Sequence, residues 1–299
     1  RNILPRPFNA REMRVIEIEN IVVVGAGAMG HGIAQVAAAA GFKVGLNDVS
    51  ADAIAKGLGA VRANLDKGVE KGKVTDDARE ATLAGLTAAP DLEAAVATAD
   101  LVVEAVPESL ELKREIFARL DGAAPERTLF ASNTSSLPVG RIAEATGRPE
   151  RVIGLHFFNP VHIMPLLEII RAERTADVVV DAALELARRL GKEPIVVRDA
   201  PGFATSRLGV AIGLEAMRML EQDVASAEDI DKAMTLGYRH PMGPLKLTDL
   251  VGLDVRLGIA EHLANVLDDR RFAPPALLRQ MVADGKLGKK SGQGFYDWS

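Results

Sequence analysis

The chain has 299 residues, with 36 Lys plus Arg against 41 Asp plus Glu, a net charge of −5 and no cysteine. That balance offers no global positive field to nucleic acid or an anionic membrane, so any anionic ligand must be held by local groups. The lack of cysteine excludes disulfides, thiolate metal sites and cysteine nucleophiles; no metal is expected, and a cytoplasmic location is.

Residues 1–19 read as an N-terminal extension. Pro5, Pro7 and four early arginines suggest a loosely held segment without the apolar centre of a signal peptide, and Met13 is a plausible alternative start. From Ile21 to Phe42 no Asp, Glu, Lys or Arg occurs, a length that could span a bilayer. Its Ala and Gly bring little transfer energy, and it breaks into a β-branched strand, a glycine turn and a helix, so no membrane span is expected.

Residues 20–199 then alternate short β-branched runs (21–24, 43–48, 101–106, 128–133, 152–157, 166–170 and 194–197) with helical stretches. These are about 30–40, 51–70, 76–85, 109–121, 138–146 and 177–190. This is the pattern of a doubly wound α/β sheet of Rossmann type. Beyond about residue 200 the apolar spacing is helical only: 203–220, 226–236 with Ser226 as N-cap, 243–267 and 274–284. Residues 200–299 are therefore expected to form a smaller all-α domain, for substrate and dimerisation. Its helices carry apolar residues on wider arcs than one core face needs, so a homodimer is expected.

The run VVVGAGAMG sets Gly25, Gly27 and Gly30 in a G-x-G-x-x-G pattern between a strand and an Ala-rich helix. Gly25 serves the tight turn, Gly27 lets a pyrophosphate approach the backbone, and Gly30 lets helix and strand pack. With Ala28 and Met29 these residues form the expected dinucleotide cradle at a helix N-terminus. Asp48 ends the next strand 23 residues after Gly25, where a carboxylate can accept both ribose hydroxyls; a helix N-terminal acid is the plainer alternative. An acid there repels a 2′-phosphate and 49–53 hold no Arg, which favours NAD over NADP.

Among five histidines, His31, His240 and His262 fit packing or surface positions. His156 ends a predicted strand on the sheet edge that carries the glycine turn, where open α/β sheets place their ligands. Twelve residues later Glu168 lies inside the apolar run LLEII, a costly position for a carboxylate without a partner. A His–Glu pair satisfies both, the carboxylate fixing the tautomer and stabilising the imidazolium formed when His takes a proton.

At these residues the chain resembles the short-chain L-3-hydroxyacyl-CoA dehydrogenases, 3-hydroxybutyryl-CoA dehydrogenases included. The likeness runs from about Asn20 to Trp298 through VGAGAMGHGIAQVAA, DLVVEAVPESLELK, FASNTSSLPV, GLHFFNPVHIMPLLEII, DAPGFATSRL, HPMGPLKLTDLVGLD and GKKSGQGFYDW. It implies reversible NAD-dependent oxidation of an (S)-3-hydroxyacyl-CoA to the 3-oxoacyl-CoA, as in fatty-acid β-oxidation. His156 is then the general base, Glu168 its orienting partner and Ser135 a hydrogen-bond partner of the substrate oxygen. Glu108, Lys113, Asn133, Asn159 and Lys290 match cofactor positions of the family, and Asn64 and Lys71 match CoA positions. NTSS otherwise reads as turn chemistry, and Glu108 with Lys113 as a solvated pair.

Lys67 and Lys71, four apart on one helix, cluster with Lys73 and can meet the CoA phosphates; an ordinary solvated helix end is the alternative. One departure from the family stands out: PGFATSR has Ser206 where the family usually has Asn, and serine has the shorter reach. This motivates the reading of an NAD-binding protein without turnover; a dehydrogenase of a free hydroxy or sugar acid, like the L-gulonate dehydrogenases that share the motif set, is a second enzyme reading.

Overall fold

The computed structural model describes residues 16–299, so the expected features of residues 1–15 lie outside the described residues. The chain divides into two compact units, the first ending at Asp199 and the second running Ala200–Ser299.

The first unit opens with β1 (Asn20–Val24), four of whose five residues are buried. The glycine turn follows, then α1 (Ala28–Ala39), so the uncharged run from Ile21 is a strand, a turn and a helix. Among the described residues no helix is long and apolar enough to cross a membrane. Next come β2 (Lys43–Asn47), α2 (Ala51–Glu70) and α3 (Asp76–Ala84), with Ser50 and Thr75 capping the two helices through their side chains. The sequence pattern shows neither β3 (Leu86–Ala88) nor α4 (Leu92–Val96), elements of three and five residues that are too short to leave a period. The unit continues with β4 (Leu101–Glu104), α5 (Leu110–Ala123), β5 (Leu129–Ser132), α6 (Val139–Ala143), β6 (Val152–Phe157), β7 (Leu166–Arg171), α7 (Asp177–Arg189) and β8 (Glu193–Arg198).

The eight strands form one sheet in the order β3-β2-β1-β4-β5-β6-β7-β8. Strand order reverses beside β1, which pairs with both β2 and β4, and the glycine turn sits at that switch point. All pairings are parallel except β6 with β7, so β7 and β8 run opposite to the rest. The inner strands β4, β5 and β6 are buried along their whole length, as strands covered on both faces must be. Ile18, within the expected extension, joins the same core, and its carbonyl accepts a bond from Arg189.

The second unit is helical: α8 (Thr205–Glu221), α9 (Ala227–Lys232), α10 (Pro244–Val251), α11 (Leu253–Leu267) and α12 (Ala276–Ala283). The expected single helix over 243–267 is two, because Gly252 adopts φ +103° and ends α10 before α11 begins. Val210, Leu214, Met217, Leu245, Leu263 and Leu278 form its core. Asp249, buried on α10, ties the C-terminal segment down by accepting the N–H groups of Phe295 and Tyr296 and the indole of Trp298.

Candidate active site

The three glycines of the turn differ in what surrounds them. A Cβ on Gly30 would lie 1.6 Å from the Gly25 carbonyl oxygen, and one on Gly25, at φ +102°, would lie 2.6 Å from that of Ala105. Both positions are closed by the fold itself. A Cβ on Gly27 would meet nothing within 4 Å, so its missing side chain leaves room for something outside the protein. Gly27 is also the N-cap of α1, with no side-chain cap and no acid in the first turn. The first N–H groups of that helix therefore remain available to an anion. Asp48 follows β2 and accepts the Ala26 N–H at 2.7 Å and the Val49 N–H at 2.7 Å, which pins it beside the turn. A carboxylate has four lone-pair sites, so two remain for the ribose hydroxyls. This arrangement fits a bound NAD.

At the same edge of the sheet, the antiparallel register of β6 and β7 sets His156 directly opposite Glu168. Glu168 is fully buried and His156 nearly so, and Nδ1 lies 2.9 Å from Oε2. An ionised carboxylate only accepts, so Nδ1 carries the hydrogen and Nε2 is left as the basic nitrogen. Phe158 packs on the imidazole with ring centres 4.4 Å apart. Asn133 joins this strand to the next loop, its Oδ1 accepting the Phe157 N–H.

Ser135 lies in the loop after β5, and Glu108 organises that loop. Its Oε1 accepts the Thr134 hydroxyl, the Ser135 N–H and hydroxyl, and the Ser136 N–H, at 2.7 to 3.2 Å. Burial alone would raise the Glu108 pKa; the Lys113 ammonium and these donors outweigh it and hold the carboxyl below its ordinary range.

Lys113, matched with Glu108 to the cofactor half of the site, is not the solvated residue that the plainer reading of that pair expects. It is fully buried on α5, its ammonium 2.6 Å from Glu104 Oε1, 3.3 Å from the Val106 carbonyl and 3.4 Å from Glu108 Oε2. It lies behind Glu108, and of the two it is Glu108 that reaches the surface. Asn64, matched to CoA, donates to Gln35 Oε1 and so links α2 to α1. Lys67 and Lys71 are exposed at the end of α2, and Asn159 is exposed after β6. In the second unit Ser206 is in the first turn of α8, and Lys290 is 2.6 Å from Asp254 Oδ2.

Sequence reasoning missed Glu104. The signal was there, a carboxylate at the end of the apolar run LVVE, as at Glu168. Among the described residues no group of three or more His, Asp or Glu could hold a metal ion.

Two family models match the chain: 3-hydroxyacyl-CoA dehydrogenase, NAD binding domain, over residues 20–200, and 3-hydroxyacyl-CoA dehydrogenase, C-terminal domain, over 202–298. A probable 3-hydroxybutyryl-CoA dehydrogenase of Bacillus subtilis is 45% identical over 95% of this chain and 98% of its own. The mitochondrial hydroxyacyl-coenzyme A dehydrogenase of Rattus norvegicus is 44% identical over 95% and 92%. Among solved structures, the (S)-3-hydroxybutyryl-CoA dehydrogenase PaaH1 of Ralstonia eutropha is 40% identical with a TM-score of 0.91, covering 95% of this chain and all of that one.

Proposed function

We propose that this chain, which belongs to the 3-hydroxyacyl-CoA dehydrogenase family, oxidises (S)-3-hydroxyacyl-CoA to 3-oxoacyl-CoA reversibly, with His156 as the general base. The observation that carries the assignment is the buried His156–Glu168 pair across β6 and β7.

His156 Nε2 takes the proton of the 3-hydroxyl while the carbon–oxygen double bond forms. Glu168 holds the ring through Nδ1–H and offsets the positive charge that develops. When bound, NAD supplies the acceptor for the hydride leaving carbon 3. Gly25, Gly27, Ala28, Met29 and Gly30 would hold its pyrophosphate, Asp48 its adenosine ribose, and Glu108, Asn133 and Asn159 its nicotinamide half. Lys290, in the second unit, matches a further cofactor position of the family. Ser135 hydrogen-bonds the substrate oxygen through its hydroxyl, and Glu108 keeps that serine in place. Ser206 stands where the family has Asn, and a serine has one donor and a shorter reach.

The CoA phosphates are met by Lys67 and Lys71, exposed and four apart in a protein that is acidic overall. A cytoplasmic homodimer is the form we assign. Leu208 and Ile212 of α8, Leu247, Leu250 and Val251 of α10, and Val255 of α11 are all exposed, an apolar surface that a second copy would cover. The deciding assay follows NADH oxidation with acetoacetyl-CoA beside longer 3-oxoacyl-CoA esters and free 3-oxo acids. Turnover confined to the thioesters is expected; turnover of free acids alone would overturn the substrate assignment.

A further inference from the structure

The geometry assigns Glu104 as a positioning residue for the reaction, its buried carboxylate setting both the turn that lies on Gly25 and, through Lys113, the loop that carries Ser135. This rests on the dehydrogenase reading of the site.

Glu104 is the last residue of β4, in register with Val24 of β1 and Ser132 of β5. It is fully buried. A neutral side chain of similar shape would fill the strand end without the desolvation cost of a charge, so the carboxylate must be explained by what it holds. Oε2 accepts the Ser132 hydroxyl at 2.6 Å, while Oε1 accepts the Val106 N–H at 2.7 Å and the Lys113 ammonium at 2.6 Å. Its backbone carbonyl accepts the Asn133 N–H at 2.8 Å.

Each of these bonds leads to a part of the site. The Val106 bond folds the chain back so that the Ala105 carbonyl closes over Gly25. The Ser132 and Asn133 bonds fix the end of β5, from which Asn133 reaches the strand of His156. The Lys113 bond holds an ammonium 3.4 Å from Glu108, the carboxylate that gathers Thr134, Ser135 and Ser136. One ionised group thus coordinates the cofactor turn and the substrate loop.

Glu104→Gln isolates the charge. The amide oxygen can still accept from Val106 and Lys113, and the amide nitrogen can donate to Ser132 Oγ, so the shape and the contacts survive with the Ser132 bond reversed. We expect kcat/KM with acetoacetyl-CoA to fall at least about tenfold and the Kd for NADH, measured by calorimetry, to rise. The double variant Glu104→Gln with Lys113→Met removes both buried charges. Its Tm should return toward that of the unmodified protein, because a neutral pair is no worse packed, while kcat/KM stays low because Glu108 has lost its ammonium. Unchanged kcat/KM in Glu104→Gln would overturn the assignment, and so would activity that recovers in step with Tm in the double variant. If the unmodified protein turns over no CoA ester, the substrate reading fails; the NADH Kd of Glu104→Gln then decides the positioning role alone, a rise upholding it and an unchanged value refuting it.

Discussion

His156 and Glu168 face each other across the one antiparallel step of an otherwise parallel set of pairings, with Nδ1 and Oε2 2.9 Å apart. Opposed residues of neighbouring strands point to the same face, so the register alone brings the two side chains together. A base held by a buried strand is oriented more rigidly than one on a loop. Replacing His156 by Gln should lower kcat by about 10²-fold or more, since no group remains to take the hydroxyl proton. Glu168→Gln should also lower kcat, by about tenfold or more, because its amide can present an N–H to Nδ1 and favour the wrong tautomer. Neither change touches the glycine turn, so the Kd for NADH should hold in both; kcat within twofold of the parent in either variant would refute the roles.

The glycine turn separates packing from binding. Gly30→Ala puts a Cβ into the Gly25 carbonyl and should lower Tm severely or prevent folding. Gly27→Ala meets no protein atom, and its backbone at φ −65° suits any residue, so Tm should stay unchanged while the Kd for NADH rises at least about tenfold. Thermal melts and NADH titrations of the two variants check this; unaltered NADH binding in Gly27→Ala would remove the pyrophosphate from that position.

Much of this was legible in the sequence, and the reasons are physical. Buried parallel strands read as near-continuous apolar runs, which located β1, β4, β5 and β6. Glu168 was visible because a charge in such a run needs a partner. The direction of β7 shows only in the spacing, since residues 158–165 between it and β6 are too few for a parallel crossover. The burial of Lys113 was not legible. Lysine on an amphipathic helix normally reaches water, whereas this ammonium is held inward by Glu104, the Val106 carbonyl and Glu108.

Glu108 carries a pH signature. Its folded pKa lies below the ordinary carboxyl value, so the stability it adds is present above the unfolded value of about 4.3 and is lost as pH falls through the depressed folded value. Glu108→Gln should therefore lower Tm at pH 7, with the difference from the parent shrinking only below about pH 4. Melts across pH 3 to 7 test it, and a difference independent of pH would show that the charge of Glu108 does not hold the loop.

Lys67, Lys71 and Lys73 should act on the substrate and not on the cofactor. Replacing all three by Ala removes exposed charge at the end of α2 without disturbing buried contacts. The KM for acetoacetyl-CoA should rise several-fold and lose much of its dependence on ionic strength, while the KM for NADH stays the same. A thioester KM equal to that of the parent would leave these lysines as an ordinary solvated helix end.

Asp249 predicts where the second unit is most sensitive. Both carboxylate oxygens are engaged, Oδ1 by the Phe295 N–H and Oδ2 by the Tyr296 N–H and the Trp298 indole, in a position 1% exposed. Asp249→Ala leaves these donors without their acceptor, a loss of roughly 3–5 kcal/mol, whereas Asp249→Asn keeps one acceptor and should lose less. Gly294 packs so closely that a Cβ there would lie 2.2 Å from Asp249 Oδ1, so Gly294→Ala should resemble Asp249→Ala. Urea denaturation followed by fluorescence of Trp298, the one tryptophan in the chain, measures all three variants. A midpoint for Asp249→Ala matching the parent would mean that the C-terminal segment is held by its aromatic packing and not by this carboxylate.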